Sequence, residues 1–162
     1  MEQRVRQVYV ALSHHQQFPA PLCAVWKAMA EDETHHIVAL ERSAYLLSVM
    51  ESSPSISAQA LAHVEVILGT AQAIVQQPTL TSDDAFHLAL QIEGSELNHI
   101  DAAWLHSFRP TASLLLKAFA PDTQQHVRRL IDAVYYFSIN MALHIEADAL
   151  WARYKNRDTS RR

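Results

Sequence analysis

The apolar residues of this chain recur every three to four positions over long stretches, which short segments rich in proline and serine separate. This spacing places apolar side chains on one face of an α-helix, whereas a half-buried strand would need sustained alternation, which is missing here. The composition agrees, because only two of the 162 residues are glycine and alanine and leucine are abundant. The sequence therefore predicts an all-α protein, with enough length for one domain that has its own core.

Breaks in the helical pattern divide the chain into six predicted helices. Proline-containing segments at 18–21, 52–57, 76–84 and 108–113 mark four of the breaks. The predicted helices cover 2–17, 21–51, 57–76 and 82–107, and a fifth begins near Pro110, with Ser82 and Asp83 as candidate caps of the fourth. A helical pattern continues to Tyr154, but one helix of about 1.5 Å per residue would overrun a small domain. We therefore expect a break near 138–141, a sixth helix, one domain over 1–156 and a basic tail over 157–162.

Charge and hydropathy argue against several classes of partner. The formal net charge of −4 leaves no broad basic field for nucleic acid. No apolar run approaches the roughly 18 residues of a membrane span, and the N-terminus lacks the apolar segment of a signal peptide. The single Cys23 excludes an internal disulfide and a Cys-x-x-Cys metal site. We expect a protein of the reducing cytoplasm.

Ionisable residues lie on the apolar stripes of four predicted helices, where burial without a partner is costly. Glu33 and Glu93 lie at the centres of their stripes, and His36 and Glu96 each follow about one turn later, about 60° away. His126 lies among the apolar residues of the fifth helix, and Glu2 lies on the extension of the stripe of the first helix. Gly94, directly after Glu93, would let another helix approach or would permit a local π-bulge.

A divalent metal ion is a common solution for several buried carboxylates and imidazoles. Helix bundles build such sites from a Glu on each of two helices and a Glu-x-x-His pair on each of two others. Glu33 and His36 match that spacing, whereas His99, in a second literal Glu-x-x-His pair, points about 120° away from its stripe centre. At this stage a metal site and a set of buried Glu–His pairs both remain open.

The sequence resembles the rubrerythrin-like branch of the ferritin-like superfamily. The resemblance rests on Glu2 with Tyr9, on WKAMAEDETHHIVALE in the second helix, on ALQIEGSELN in the fourth and on DTQQHVRRL in the fifth. His36 follows Glu2 by 34 residues and His126 follows Glu93 by 33 residues, which is similar to the near-repeat of two helical hairpins in that family.

The resemblance implies a ferritin-like four-helix bundle with a crossover helix and, in this chain, an extra C-terminal helix. It implies two bound iron ions, or manganese, and O2 or peroxide as substrate for an oxidase, a peroxidase or a protein that oxidises ferrous iron. It also implies a homodimer. The metal ligands that it implies are Glu2 on the first helix, Glu33 and His36 on the second, Glu93 and Glu96 on the fourth, and His126 on the fifth.

Two departures from the family pattern affect this reading. Thr123 stands where the family has a bridging Glu, and Asp122 beside it is the candidate substitute. The Cys-x-x-Cys domain of rubrerythrins is missing, so an enzyme of this kind would need an external electron donor. The alternative is a metal-free ferritin-like bundle that acts as a structural or binding module.

Overall fold

The computed structural model contains six α-helices, which confirms the all-α prediction. The structure describes the backbone of residues 1–49, 58–107 and 110–159, and side chains mainly within 1–38, 61–95 and 124–155. In those backbone ranges no strand occurs, and no helix is both long and apolar enough to cross a membrane. The helices are α1 (Glu2–Ser13), α2 (Ala20–Val49), α3 (Ala58–Ile74), α4 (Ser82–Ser107), α5 (Pro110–Phe137) and α6 (Met141–Thr159).

The predicted break between the last two helices is confirmed, but the predicted end of the first helix is wrong. α1 stops at Ser13 and not at residue 17. Side chains compete for the last carbonyl groups there: the Ser13 hydroxyl donates to the Val10 carbonyl at 2.7 Å, and a ring nitrogen of His14 lies 2.8 Å from the same oxygen. Such local bonds satisfy the end of a helix and allow the chain to turn.

α4 begins at Ser82 and ends at Ser107, as predicted, but its cap is Thr81 and not Ser82 or Asp83. The Thr81 hydroxyl accepts the Asp84 backbone N–H at 3.1 Å, and an Asp84 carboxylate oxygen accepts the Thr81 N–H at 3.2 Å. These reciprocal bonds form a capping box. Asp83 instead accepts hydrogen bonds from Ser138 (2.6 Å) and Asn140 (3.1 Å), which fixes the turn between α5 and α6 against the start of α4.

The helices pack around a core that three aromatic side chains connect. α2 packs against α1 and α5, and α4 packs against α5; α3 lies against α1 and α4, and α6 lies against α4 and α5. The Tyr9 ring of α1 stacks on Trp26 of α2 with centroids 6.0 Å apart, and Trp26 contacts Phe86 of α4 at 5.3 Å. All three are fully buried, so this cluster joins three of the helices that carry the predicted ligands.

Gly94 lies inside α4 at the point where α6 approaches. A Cβ atom at this position would lie 3.2 Å from the Arg153 guanidinium of α6. α4 remains α-helical around Gly94, without a π-bulge. The predicted π-bulge is therefore wrong, and the neighbour at Gly94 is the end of the Arg153 side chain of α6.

Candidate metal centre

Five of the six predicted ligands converge inside the bundle, and they come from four helices. They form two groups: one consists of Glu2, Glu33 and His36, and the other of Glu33, Glu93 and His126. In each group the ligand-type atoms all lie within 4.8 Å of one another. Glu33 belongs to both groups, so its carboxylate connects them.

Most of these side chains are removed from solvent, as their places on the apolar stripes predicted. Glu33 and His126 have 0% of their surface exposed, Glu93 has 4% and Glu2 has 7%. His36 is only partly buried, with 18% of its side chain accessible. Glu31 and His35, which point to the other side of α2, are exposed as predicted. The cluster is therefore enclosed, and the His36 side chain lies nearest to solvent.

His126 is held by carboxylates on both sides of its ring. Its Nε2 lies 2.9 Å from Glu93 Oε1 and 3.1 Å from Glu33 Oε1. Its Nδ1 lies 3.2 Å from Asp32 Oδ2, and the Arg129 guanidinium pairs with the same Asp32 oxygen. Asp32 thus orients the ring so that Nε2 faces the cluster.

The sequence analysis missed Asp32 and Arg129. The available signal was weak: Asp32 directly precedes a predicted ligand on α2, and Arg129 lies one turn after another on α5. Neither lies at the centre of an apolar stripe, and both remain partly exposed, with side-chain accessibilities of 23% and 28%.

Glu33 faces two histidines with its two carboxylate oxygens. Oε2 lies 3.2 Å from His36 Nδ1, and Oε1 lies near His126 Nε2. One N–H group can point fully at only one acceptor, and the hydrogen bond of His126 Nε2 goes to Glu93. Glu33 Oε1 is consequently left without a hydrogen bond among the described residues, despite the 3.1 Å contact.

Burial and mutual charge shift the acid–base properties of the cluster. Burial, with the neighbouring Glu33 charge, raises the pKa of Glu2 to about 8. Burial also acts to raise the pKa of Glu33, but the close contact with His126, the hydrogen bond from His36 and the positive charges of both rings outweigh it and lower that pKa to about 2. Burial acts to lower the pKa of His126, but the Glu93 charge, the hydrogen bond to Asp32 and the close contact with Glu33 raise it well above 6.5. Without a metal ion, protonated histidine is therefore the counter-charge of the carboxylates.

Within the cluster, three buried ligand-type atoms have no hydrogen-bond partner among the described residues: Glu2 Oε2, Glu33 Oε1 and His36 Nε2. A buried polar atom without a partner costs free energy, so such atoms point to a missing ligand. All three can donate an electron pair to a cation. A donor set of carboxylates with two imidazoles suits iron or manganese. The residues present thus fit a metal centre.

Tyr9 contributes both to the core and to the position of Glu93. Its ring is fully buried in the core against Trp26, and its hydroxyl donates a hydrogen bond to Glu93 Oε1 at 2.5 Å. The phenol therefore holds the Glu93 carboxylate from the side of α1.

Some predictions fall on side chains that the structure does not describe. They concern the sixth predicted ligand, Glu96, and also His99. They also concern Thr123, at the position of the bridging Glu in rubrerythrin-like proteins, and its candidate substitute Asp122. Glu96 stays a predicted ligand, and Asp122 stays the predicted substitute for the bridging Glu of rubrerythrin-like proteins.

Comparison of the chain with protein-family models, with curated proteins and with solved structures gives no significant match.

Proposed function

We propose that this protein is a ferritin-like di-metal carboxylate protein that binds two iron ions, with manganese as the alternative. It would act as an oxidase or peroxidase on O2 or peroxide, or would oxidise ferrous iron. The proposal includes a cytoplasmic location, where the unpaired Cys23 stays reduced.

The observation that carries the proposal is the shared position of Glu33 between two groups of ligand-type atoms. Two ions of charge +2 would replace the protons that now balance the buried carboxylates. The resemblance to rubrerythrin-like proteins, which was drawn from the same residues, supports a pair of ions and not a single one.

Each side chain has a role that follows from its contacts. Glu33 would bind both ions, and His126 would bind through Nε2 because its Nδ1 faces Asp32. His36 would bind through Nε2, which has no hydrogen bond among the described residues. Tyr9 holds Glu93 in position, and the apolar core around Trp26 excludes water.

Two bound iron ions would supply the electrons for reducing O2 or peroxide, as the residues themselves only hold and tune the metals. We propose that an external protein or small molecule returns the electrons.

The test is a titration of the metal-free chain with ferrous iron under anaerobic conditions, and in parallel with Mn²⁺. We expect two ions per chain, a rise in Tm on binding, and an oxo-bridged absorption band after O2 is admitted to the iron form. Glu33→Gln and His36→Gln should abolish the second ion and the rise in Tm. Glu31→Gln and His35→Gln are matched controls, because both residues are exposed on the same helix, and they should behave like the wild type.

A metal-free structural or binding module is the second candidate, and one observation favours it. His126 already lies between Asp32, Glu33 and Glu93, so much of the buried charge is balanced without an ion. On this reading the purified protein contains no iron or manganese, added ions do not change Tm, and Glu33→Ala leaves the stability unchanged or raises it. Elemental analysis separates the two candidates at once.

A further inference from the structure

The turn between α5 and α6 exposes a cluster of large apolar side chains at one end of the bundle. Nine such side chains are exposed among the described residues, and five of them lie within residues 135–145. These five, which we call the hairpin patch, are Tyr135, Tyr136, Ile139, Met141 and Ile145. Ile139, in the turn itself, is 99% exposed. Such a concentration of exposed apolar surface is typical of a site that binds another molecule.

Hydrogen bonds hold the backbone of the hairpin patch in place. Ser138 and Asn140 in the turn both donate to the Asp83 carboxylate at the start of α4. Tyr135 of α5 packs against the His144 ring of α6, with centroids 4.5 Å apart, so the two helices are in contact beside the turn. The exposed side chains are therefore presented on an ordered backbone, which lowers the entropy cost of binding.

The chain around the hairpin patch is acidic. Residues 75–92 and 130–150 form the turns before α4 and between α5 and α6 with the adjoining parts of the helices, and they contain five acidic residues and no Lys or Arg. The acidic residues are Asp83, Asp84, Asp132, Glu146 and Asp148. Among the described residues, only Asp132 of these five pairs with a lysine or arginine, which is Arg128 at 2.9 Å. This end of the molecule therefore carries most of its negative charge without a permanent counter-charge.

Three of these carboxylates lie beside the apolar residues of the hairpin patch. Asp132 precedes Tyr136 by four residues on α5, a spacing that makes the two side chains neighbours on one face. Asp148 follows Ile145 by three residues on α6, with the same result. Asp83 is bonded to the turn itself. Negative charge thus borders the apolar surface on both helices and at the turn.

The combination of apolar surface and negative charge selects the chemistry of a partner. Nucleic acid and anionic lipid carry phosphates, which the carboxylates would repel. Two copies of this surface would place like charges opposite each other about a two-fold axis. A segment with an apolar face that Lys or Arg residues border complements both features, because it covers the apolar side chains and pairs with the carboxylates.

We propose that the hairpin patch binds a positively charged amphipathic segment of another protein. The apolar face of that segment would cover the patch, and its Lys or Arg side chains would face Asp83, Asp132 and Asp148. The opposite charges would speed association and make it sensitive to salt. This inference is independent of the metal centre, because none of these residues belongs to it.

Fluorescence anisotropy of labelled peptides with the full chain tests the proposal. The probe is an amphipathic helical peptide of leucine and lysine, about four turns long, and its counterpart has glutamate at every lysine position. At an ionic strength of about 0.15 M, the Leu/Lys peptide should bind saturably and the Leu/Glu peptide should not, and added salt should weaken the binding. No saturable binding of the Leu/Lys peptide, or equal binding of both peptides, would overturn the proposal.

Ile139→Asp separates apolar contact from simple attraction between charges. The variant adds a negative charge to the hairpin patch, so attraction alone would tighten the binding of the Leu/Lys peptide. Loss of the apolar contact should instead weaken it about tenfold. Val66→Asp is the matched control, because Val66 is 67% exposed on α3, outside the patch, and this variant should bind like the wild type. Tighter binding to Ile139→Asp, or the same loss in both variants, would contradict an apolar docking site.

Asp148→Asn tests the contribution of the carboxylates. It should weaken binding of the Leu/Lys peptide about two- to fivefold, whereas Glu65→Gln, at an exposed carboxylate of α3, should not change it. Equal affinities in these two variants would show that the carboxylates beside the patch do not take part. Sedimentation velocity of the wild type is the last arm: a dimer that Ile139→Asp dissociates would assign the patch to a second copy of this chain and overturn the proposal.

Discussion

The orientation of one imidazole ring depends on a carboxylate outside the predicted ligand set. Asp32 contacts His126 Nδ1 and is itself held by Arg129, so the ring presents Nε2 to Glu33 and Glu93. The positive neighbours lower the pKa of Asp32 although its partial burial acts the other way, so this residue stays ionised. An ionised partner fixes the tautomer of a metal-binding histidine and raises its basicity.

Replacing Asp32 by Asn should therefore weaken metal binding without removing a ligand. We expect the affinity for Mn²⁺, measured by isothermal titration calorimetry, to fall about 10- to 100-fold in Asp32→Asn. Asp132→Asn is the control, because Asp132 is an exposed α5 carboxylate that pairs with Arg128 in its own helix. Equal affinities in the two variants would show that Asp32 does not position His126.

The sequence predicts which residues lie at the centres of the apolar stripes better than it predicts which side chains contact one another. Glu33, Glu93 and His126 could be identified because each interrupts an apolar face of its own helix, and all three are buried. Asp32 could not be identified in this way, since its partner lies 94 residues away on another helix. Helical periodicity reports which face a residue occupies and carries no information on which helix faces it.

At the scale of the elements, helix interiors follow from the sequence, whereas their ends depend on individual bonds. A break near 138–141 was predicted from the length that a small domain allows, and the structure places it at 138–140, between α5 and α6. The cap of α4 was assigned to Ser82 or Asp83, but the side chain that bonds the backbone belongs to Thr81. Residues 81–84 are all polar, and their sequence does not show which side chain reaches a free backbone N–H group.

The cap of α4 can be tested by a pair of neighbouring substitutions. Thr81→Ala removes the hydroxyl that accepts the Asp84 N–H and should lower the free energy of unfolding by about 1 kcal/mol. Ser82→Ala should change it little, because no hydrogen bond of the Ser82 side chain occurs among the described residues. Urea unfolding of the metal-free protein measures both. A larger loss in Ser82→Ala would return the cap to the residue that the sequence favoured.

At the scale of the whole molecule, the fold class follows from composition and periodicity, but the packing order of the helices does not. Six amphipathic helices can be arranged in several bundles that bury the same stripes. The prediction of a ferritin-like bundle came from resemblance in a few short segments, and it stays a prediction. What the structure adds is that α1, α2, α4 and α5 bring Glu2, Glu33, Glu93 and His126 to one place.

That concentration of buried charge makes the stability of the metal-free molecule depend on pH. Folding raises the pKa of Glu2 from 4.5 to about 8. The protonated Glu2 therefore stabilises the fold fully below pH 4.5, and this contribution is lost as the pH rises through 8. Folding also raises the pKa of His126, to well above 6.5. Protonated His126 therefore stabilises the fold below pH 6.5, and this contribution is lost as the pH rises through the raised pKa. Glu33 has the opposite sign: its contribution is present above pH 4.5 and is lost as the pH falls towards 2.

The Tm of the metal-free protein should consequently fall between pH 4.5 and 8, and in Glu2→Gln this fall should be smaller, because the variant has no proton to lose at this position. Glu65→Gln, which changes an exposed carboxylate on α3, should keep the slope of the wild type. Metal ions at the proposed centre would reverse the trend, because they would bind only after Glu2 and His126 release their protons. The rise in Tm on adding Mn²⁺ should therefore grow with pH over the same range. If that rise were the same at pH 5 and pH 8, the ions would be binding somewhere other than the buried cluster.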